Sequence, residues 1–280
     1  MKIIAVTNIK GGVGKTTTTV NLAYLHAMAS RRTLLWDLDP QGAATHVLRC
    51  EPDEAPSAKK LVSGKRELPE LLLASAYENL DVLPADLSYR NFDVYLSRRK
   101  RPTERLLKMS RSLRDEYAAL FMDCPPGISL LSENVLRAAD AVVVPLVPTP
   151  LSVRMLDQLQ AFIVDNAWTD LVLLPFFSMV DRRKSLHREV IESTRLRHPH
   201  MLATEVPYSS EIERMTVRRA PLSSYAPGSA AGRTFAALWA EIDARLGSPP
   251  QAATLTALAD LVADVVTDAT TPDHSLTGKP

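Results

Sequence analysis

The stretch NIKGGVGKTTTT, Asn8 to Thr19, constrains the fold of this chain more than any other. It follows an apolar run at Ile3–Thr7 and leads into a helical pattern from Lys15. A glycine-rich turn between a strand and a helix aims backbone N–H groups at one point, and the helix N-terminus adds partial positive charge there. Gly11, Gly12, Val13, Gly14, Lys15 and Thr16 therefore read as a phosphate-binding loop. In that reading Lys15 reaches the β- and γ-phosphates of a nucleotide, and the Thr16 hydroxyl ligates Mg²⁺. The loop holds one lysine too many for this task, because Lys10 precedes the first glycine. From the loop alone, Lys10 reads equally well as a solvated residue at a strand end.

Five further runs share the character of Ile3–Thr7: Thr33–Asp37, Leu80–Leu83, Ala119–Asp123, Ala141–Pro145 and Leu171–Phe177. They are near-continuous apolar runs rather than alternating ones, as expected for parallel strands covered on both faces. Helical patterns lie between them at Lys15–Ser30, Ser129–Ala138, Ser152–Asn166, Ser185–Arg197 and Ser229–Leu246. The β-then-α order predicts an α/β fold with a doubly wound, mostly parallel sheet flanked by helices. Glu51–Ser63, rich in Pro, Ser and charge, reads as a surface excursion. The organisation expected is one large domain over 1–246 and an acidic extension over 247–280. In that extension Ala252–Val266 has helical spacing, and Thr267–Pro280 reads as disordered.

Two strand ends carry carboxylates that fit the loop. LLWDLDPQG ends a strand at Asp37 and continues to Asp39, and ALFMDCPPG ends another at Asp123. Ligands of an open parallel sheet sit at the carboxyl ends of its strands, so all three acids converge on the phosphate edge. Cys50 and Cys124 form no CxxC pair, which argues against a zinc site or a disulfide scaffold.

KGGVGKTT, DLDPQG and MDCPPG, in this order, resemble the ParA/MinD group of deviant P-loop ATPases. DVLPADLSYRNFDVYL, FFSMVDRRKSLHREV and YAPGSAAGR extend the likeness to its ParA/Soj branch, over roughly residues 1–246. The resemblance implies an Mg²⁺-dependent ATPase that forms an ATP-sandwiched homodimer. It makes Lys10 the lysine that crosses to the partner subunit's nucleotide. It gives Asp39 the attacking water, and Asp37, Asp39 and Asp123 the Mg²⁺ shell with Thr16. Thr17 falls at the α-phosphate, and Met179, Pro207, Tyr208 and Ser209 at the adenine. It also implies non-specific binding of duplex DNA, a cytoplasmic and nucleoid-associated location, and a ParB-like or cargo-adaptor partner that stimulates hydrolysis.

The formal charge is only +1, so a DNA contact must come from local patches. Arg182, Arg183 and Lys184 form one; Arg214, Arg218 and Arg219 form another; Arg98–Arg114 is a third, whose Lys108, Arg111 and Arg114 recur at helical spacing. The branch pattern PRNVRLSEAPS is altered here to PYSSEIERMTV, which puts Tyr208 and Glu211 where two arginines belong. That weakens the carry-over of DNA contact at this point. A MinD-like membrane-cycling ATPase is the alternative. Against it, Leu255, Leu258, Val262 and Val265 form an apolar stripe beside Asp260, Asp264 and Asp268, a charge that anionic lipid repels. An iron–sulfur ATPase would need paired cysteines, and Cys124 reads instead as a small buried residue.

Overall fold

The computed structural model describes residues 1–52 and 57–247. Strand β1 (Lys2–Val6) opens the chain, and its neighbours explain its composition. It lies between β5 (Ala119–Asp123) and β6 (Ala141–Leu146), parallel to both, so Ile3 and Ala5 face one helical layer while Ile4 and Val6 face the other. The eight-stranded sheet has the order β3-β4-β2-β5-β1-β6-β7-β8. Its remaining strands are β2 (Thr33–Asp37), β3 (Leu73–Ala74), β4 (Leu80–Leu83), β7 (Val172–Val180) and β8 (Glu205–Pro207). All described pairings are parallel except β3 with β4. The order reverses about β1, where an open α/β sheet forms its ligand crevice.

Helices α1 (Lys15–Met28), α2 (Ala43–Val47), α9 (Ser210–Arg218), α10 (Leu222–Tyr225) and α11 (Ala230–Gly247) cover one face. The other carries α3 (Ala58–Ser63), α4 (Phe92–Leu96), α5 (Arg105–Ser110), α6 (Leu130–Ala138), α7 (Pro150–Asp165) and α8 (Ser185–Arg197). Both cores are closed by large buried side chains, Trp36 and Phe92 on the second face, Phe121 and Phe235 on the first.

Three expectations need adjustment. The stretch Glu51–Ser63 is not all surface, because Ala58–Ser63 forms α3 and buries Leu61 and Val62 against the second core. Lys108, Arg111 and Arg114 do not share one α-helical face: α5 stops at Ser110 and the chain tightens into a 3₁₀ turn at Arg111–Leu113. Short β3 and β8, and the small helices α2 to α5, α9 and α10, have no counterpart among the expected elements. The acidic extension lies outside the described residues, apart from Gly247, which ends α11.

Candidate functional site

The phosphate loop leaves the C-terminal end of β1 and enters α1 at Lys15. Gly12 and Gly14 have φ of 70° and 89°, a left-handed backbone that favours glycine. At Gly14 an added Cβ would also crowd the Ser178 hydroxyl at 3.1 Å, so glycine lets the loop lie close on β7 without displacing it. Asn8 fixes the loop's entry: its side-chain amide donates to the Pro145 carbonyl at 2.7 Å, and its Oδ1 accepts from the Lys10 N–H at 2.9 Å.

Lys15 is buried, and its ammonium donates to the Lys10 carbonyl at 3.4 Å. Burial pulls its pKa down, while the charges of Asp123 and Asp39 work in the opposite direction. Within its own chain, the Lys10 side chain has no acidic or hydrogen-bonded partner among the described residues.

Asp37 and Asp123 sit opposite each other at the ends of β2 and β5, both fully buried. Asp37 Oδ1 accepts from the Asp39 N–H at 3.2 Å, and its Oδ2 accepts from the Thr45 N–H and hydroxyl at 2.8 and 2.7 Å. Burial raises its pKa to about 6, with the Thr45 donors opposing. Asp123 Oδ1 accepts from the Thr19 hydroxyl at 3.1 Å. Burial first, then the nearby Asp37, push the Asp123 carboxyl up to about 8. Its Oδ2 is buried with no hydrogen-bond partner among the described residues.

A buried carboxylate oxygen without a donor is costly, and the water shell of a divalent cation would supply one. No three acids, histidines or cysteines among the described residues close into a direct metal cage. The site therefore fits Mg²⁺, which keeps most of its waters and takes few protein ligands. Asp39 lies on the half-exposed loop after β2, where its Oδ1 accepts from the Gln41 N–H at 3.0 Å.

A cavity of about 30 Å³ beside the loop brings together Gly14, Thr17, Met179, Pro207, Tyr208 and Ser209. Thr17 is expected at the α-phosphate, and Met179, Pro207, Tyr208 and Ser209 at the adenine. Met179 holds a left-handed φ of 55°, a strained state for its residue type, at this pocket. Four supports escape a reading of the sequence: Asn8, Thr19, Thr45 and Ser178. Asn8 and Thr19, inside the glycine-rich stretch, carry a signal that could have found them; Thr45 and Ser178 do not.

The basic patches are unequal. Arg182 pairs with Glu205 at 2.8 Å and Arg183 with Asp181 at 2.9 Å, while Lys184 is exposed. Arg214 and Arg218 are exposed on α9, and the Arg218 guanidinium lies 4.8 Å from the centre of the Tyr225 ring. Arg219, the left-handed C-cap of α9, is held across the surface: it bonds Glu51 at 2.7 Å and the His46 carbonyl at 3.0 Å. Among the described residues no helix is long and apolar enough to cross a membrane.

A doubly wound parallel sheet with this loop on its central strand and two buried carboxylates beside it defines a P-loop nucleotide-binding protein. Residues 1–168 match the AAA domain family. The chain is 32% identical over 249 residues to the sporulation initiation inhibitor protein Soj of Bacillus subtilis, covering 87% of this chain and 98% of the relative. It is 36% identical over 203 residues to the chromosome partitioning protein ParA of Myxococcus xanthus, covering 69% and 70%. Among solved structures, cobyrinic acid a,c-diamide synthase of Mycobacterium smegmatis, with bound ATP analogue and magnesium, superposes with a TM-score of 0.75 at 28% identity, over 89% of this chain and 96% of that one. The chain belongs to the ParA/Soj family of partition ATPases.

Proposed function

We propose that the chain hydrolyses ATP with Mg²⁺ in a nucleotide-sandwiched homodimer that binds duplex DNA without sequence preference. In this reading it positions or segregates a cargo at the nucleoid, and a ParB-like or adaptor partner stimulates hydrolysis. The observation that carries the proposal is the Lys10 side chain, a cation at the phosphate loop with no acidic or hydrogen-bonded partner among the described residues of its own chain. Exposed Ile128 and Leu151, after β5 and at the start of α7, add apolar surface at the same edge of the sheet.

Phosphoryl transfer needs positioning and charge stabilisation more than covalent chemistry. Backbone N–H groups of Gly12–Lys15 cradle the phosphates, and the Lys15 ammonium compensates the charge building on the γ-phosphate. Bound Mg²⁺ would supply further neutralisation of the phosphate charge. Thr16, Asp37 and Asp123 would hold its water shell, with Asp39 at its margin. Asp39 would orient the attacking water, and Lys10 would reach the partner's γ-phosphate, a class of effect worth ~10³–10⁵ in rate. Arg214, Arg218, Arg182, Arg183 and Lys184 supply the DNA-facing cations, with Arg219 holding α9 in place behind them.

Asp39→Ala tests the reading. The variant should bind ATP normally, stop hydrolysing it and accumulate as an ATP-bound dimer by light scattering. Turnover at the wild-type rate would move the water-positioning role elsewhere.

A further inference from the structure

A cavity of about 430 Å³ lies on the layer opposite α1 and α9, between the loop after α4 and helix α5. Six cations line it, Arg99, Lys100, Arg101, Arg105, Lys108 and Arg111, against one carboxylate, Glu104. Glu104 is already engaged by Arg137 at 2.9 Å and Arg101 at 3.4 Å. None of the other five cations has an acidic partner among the described residues. Arg105 is the deepest of them. Its Nε is buried with no hydrogen-bond partner among the described residues, and its guanidinium packs on the backbone of Gly64, where a Cβ would come within 3.1 Å of Nη2. Arg105 and Lys108 also border a second cavity of about 130 Å³.

Crowded like charges repel one another, and a compact multivalent anion relieves all of them at once. Among the described residues the lining has no aromatic on which a base could stack, and Leu107 is its only apolar side chain. Recognition in such a cavity is of phosphate rather than of a base. Duplex DNA, a broad rod, would touch the rim and leave Arg105 unpaired. We propose that this cavity binds a condensed phosphate chain, either inorganic or carried by a nucleoside polyphosphate, at a site separate from the phosphate loop.

The test is calorimetric titration of sodium tripolyphosphate into the full chain saturated with Mg-ADP, so that the phosphate loop is filled. One binding event is expected, weakening as salt rises. Arg105→Gln with Lys108→Gln should weaken it about tenfold or more, because two charge-assisted hydrogen bonds are removed. Lys100→Gln with Arg111→Gln, at exposed positions that leave the core intact, should weaken it too, while ADP affinity stays unchanged in both variants. Adenosine tetraphosphate separates the two sources: equal affinity identifies the inorganic chain, tighter binding the nucleoside-borne one. Absence of binding, or binding unchanged in both variants, overturns the proposal. So does loss of duplex DNA binding in the variants with tripolyphosphate binding intact, which would make the cluster a nucleic-acid face.

Discussion

Asp37 accepts three hydrogen bonds in a fully buried strand end, while Arg214 stands exposed on α9 with no hydrogen-bonded or acidic partner among the described residues. The two mark different uses of charge in one molecule. At the carboxyl edge of the sheet, groups are fixed before any ligand arrives, at the cost of buried charge, as the raised Asp37 and Asp123 pKa values show. On α9, Arg214 keeps its solvation and Arg218 stays exposed with its guanidinium against the Tyr225 ring, while Arg219 at the C-cap is held by hydrogen bonds. Preorganisation suits a site that must stabilise one charge distribution. A solvated cationic face suits sequence-independent contact with phosphates, where counterion release supplies the affinity.

The sharpest way to break this contrast is Lys15→Ala. It removes a buried cation in the preorganised region, and nucleotide affinity should fall about a hundredfold or more, as expected when a strong charge-assisted hydrogen bond is deleted. Fluorescent nucleotide titration measures it, and unchanged affinity would remove the phosphate-loop assignment.

Thr45→Val comes next. It deletes the hydroxyl that donates to Asp37 Oδ2 and accepts from the Ala85 N–H, leaving two buried groups short of a partner. Denaturant unfolding should show a loss of about 1–3 kcal/mol. A loss near zero would mean that Asp37 does not depend on its donors.

On α9 the signature should reverse. Arg214→Glu with Arg218→Glu should leave stability within about 0.5 kcal/mol, as exposed substitutions do. Duplex DNA affinity should fall, and the salt slope should drop by about one for each phosphate no longer neutralised. Arg219→Ala should instead destabilise by about 1 kcal/mol through its bonds to Glu51 and His46. Equal stability effects at Arg218 and Arg219 would erase the distinction between the solvated and the committed arginine.

An effect away from both regions is the smallest of these at neutral pH and grows only in acid. His26 is buried beside Phe121 and Trp239, and its Nδ1 lies 2.6 Å from the Thr33 hydroxyl. Burial, with help from the Arg31 charge, lowers its pKa from 6.5 to about 4. The folded state then binds fewer protons than the unfolded chain between those values, so stability is full above about pH 6.5 and falls as pH drops towards 4. His26→Gln should flatten that slope in melting curves. The flattening should be partial, because burial also holds His200 down at about 4.

The six central strands are legible in the sequence because burial on both faces demands near-continuous apolar runs, and residues 119–122 leave no polar register to misread. β3 and β8 are not, since two and three residues carry no period, and β8 contains Pro207. The helical spacing starts α7 late, at Ser152, because Pro150 reads as a breaker. It is instead a first-turn proline behind the Thr149 cap, which accepts from the Ser152 N–H. Lys15, Asp37 and Asp123 announce themselves by charge at the ends of the phosphate loop and of two strands. Thr45 cannot, because only the fold brings a threonine eight residues downstream back to Asp37. The tethering of Arg219 is equally hidden, since its partners Glu51 and His46 are far away in the chain.

Mixing Lys10→Ala chains with Asp39→Ala chains tests the central claim most directly. Each should be inactive alone. In the mixed dimer, the site on the Lys10→Ala subunit keeps its own Asp39 and receives Lys10 from its partner, so ATP turnover should return at one site of two. With heterodimers shown to form, no recovery on mixing would contradict the assignment of Lys10 to the partner's nucleotide.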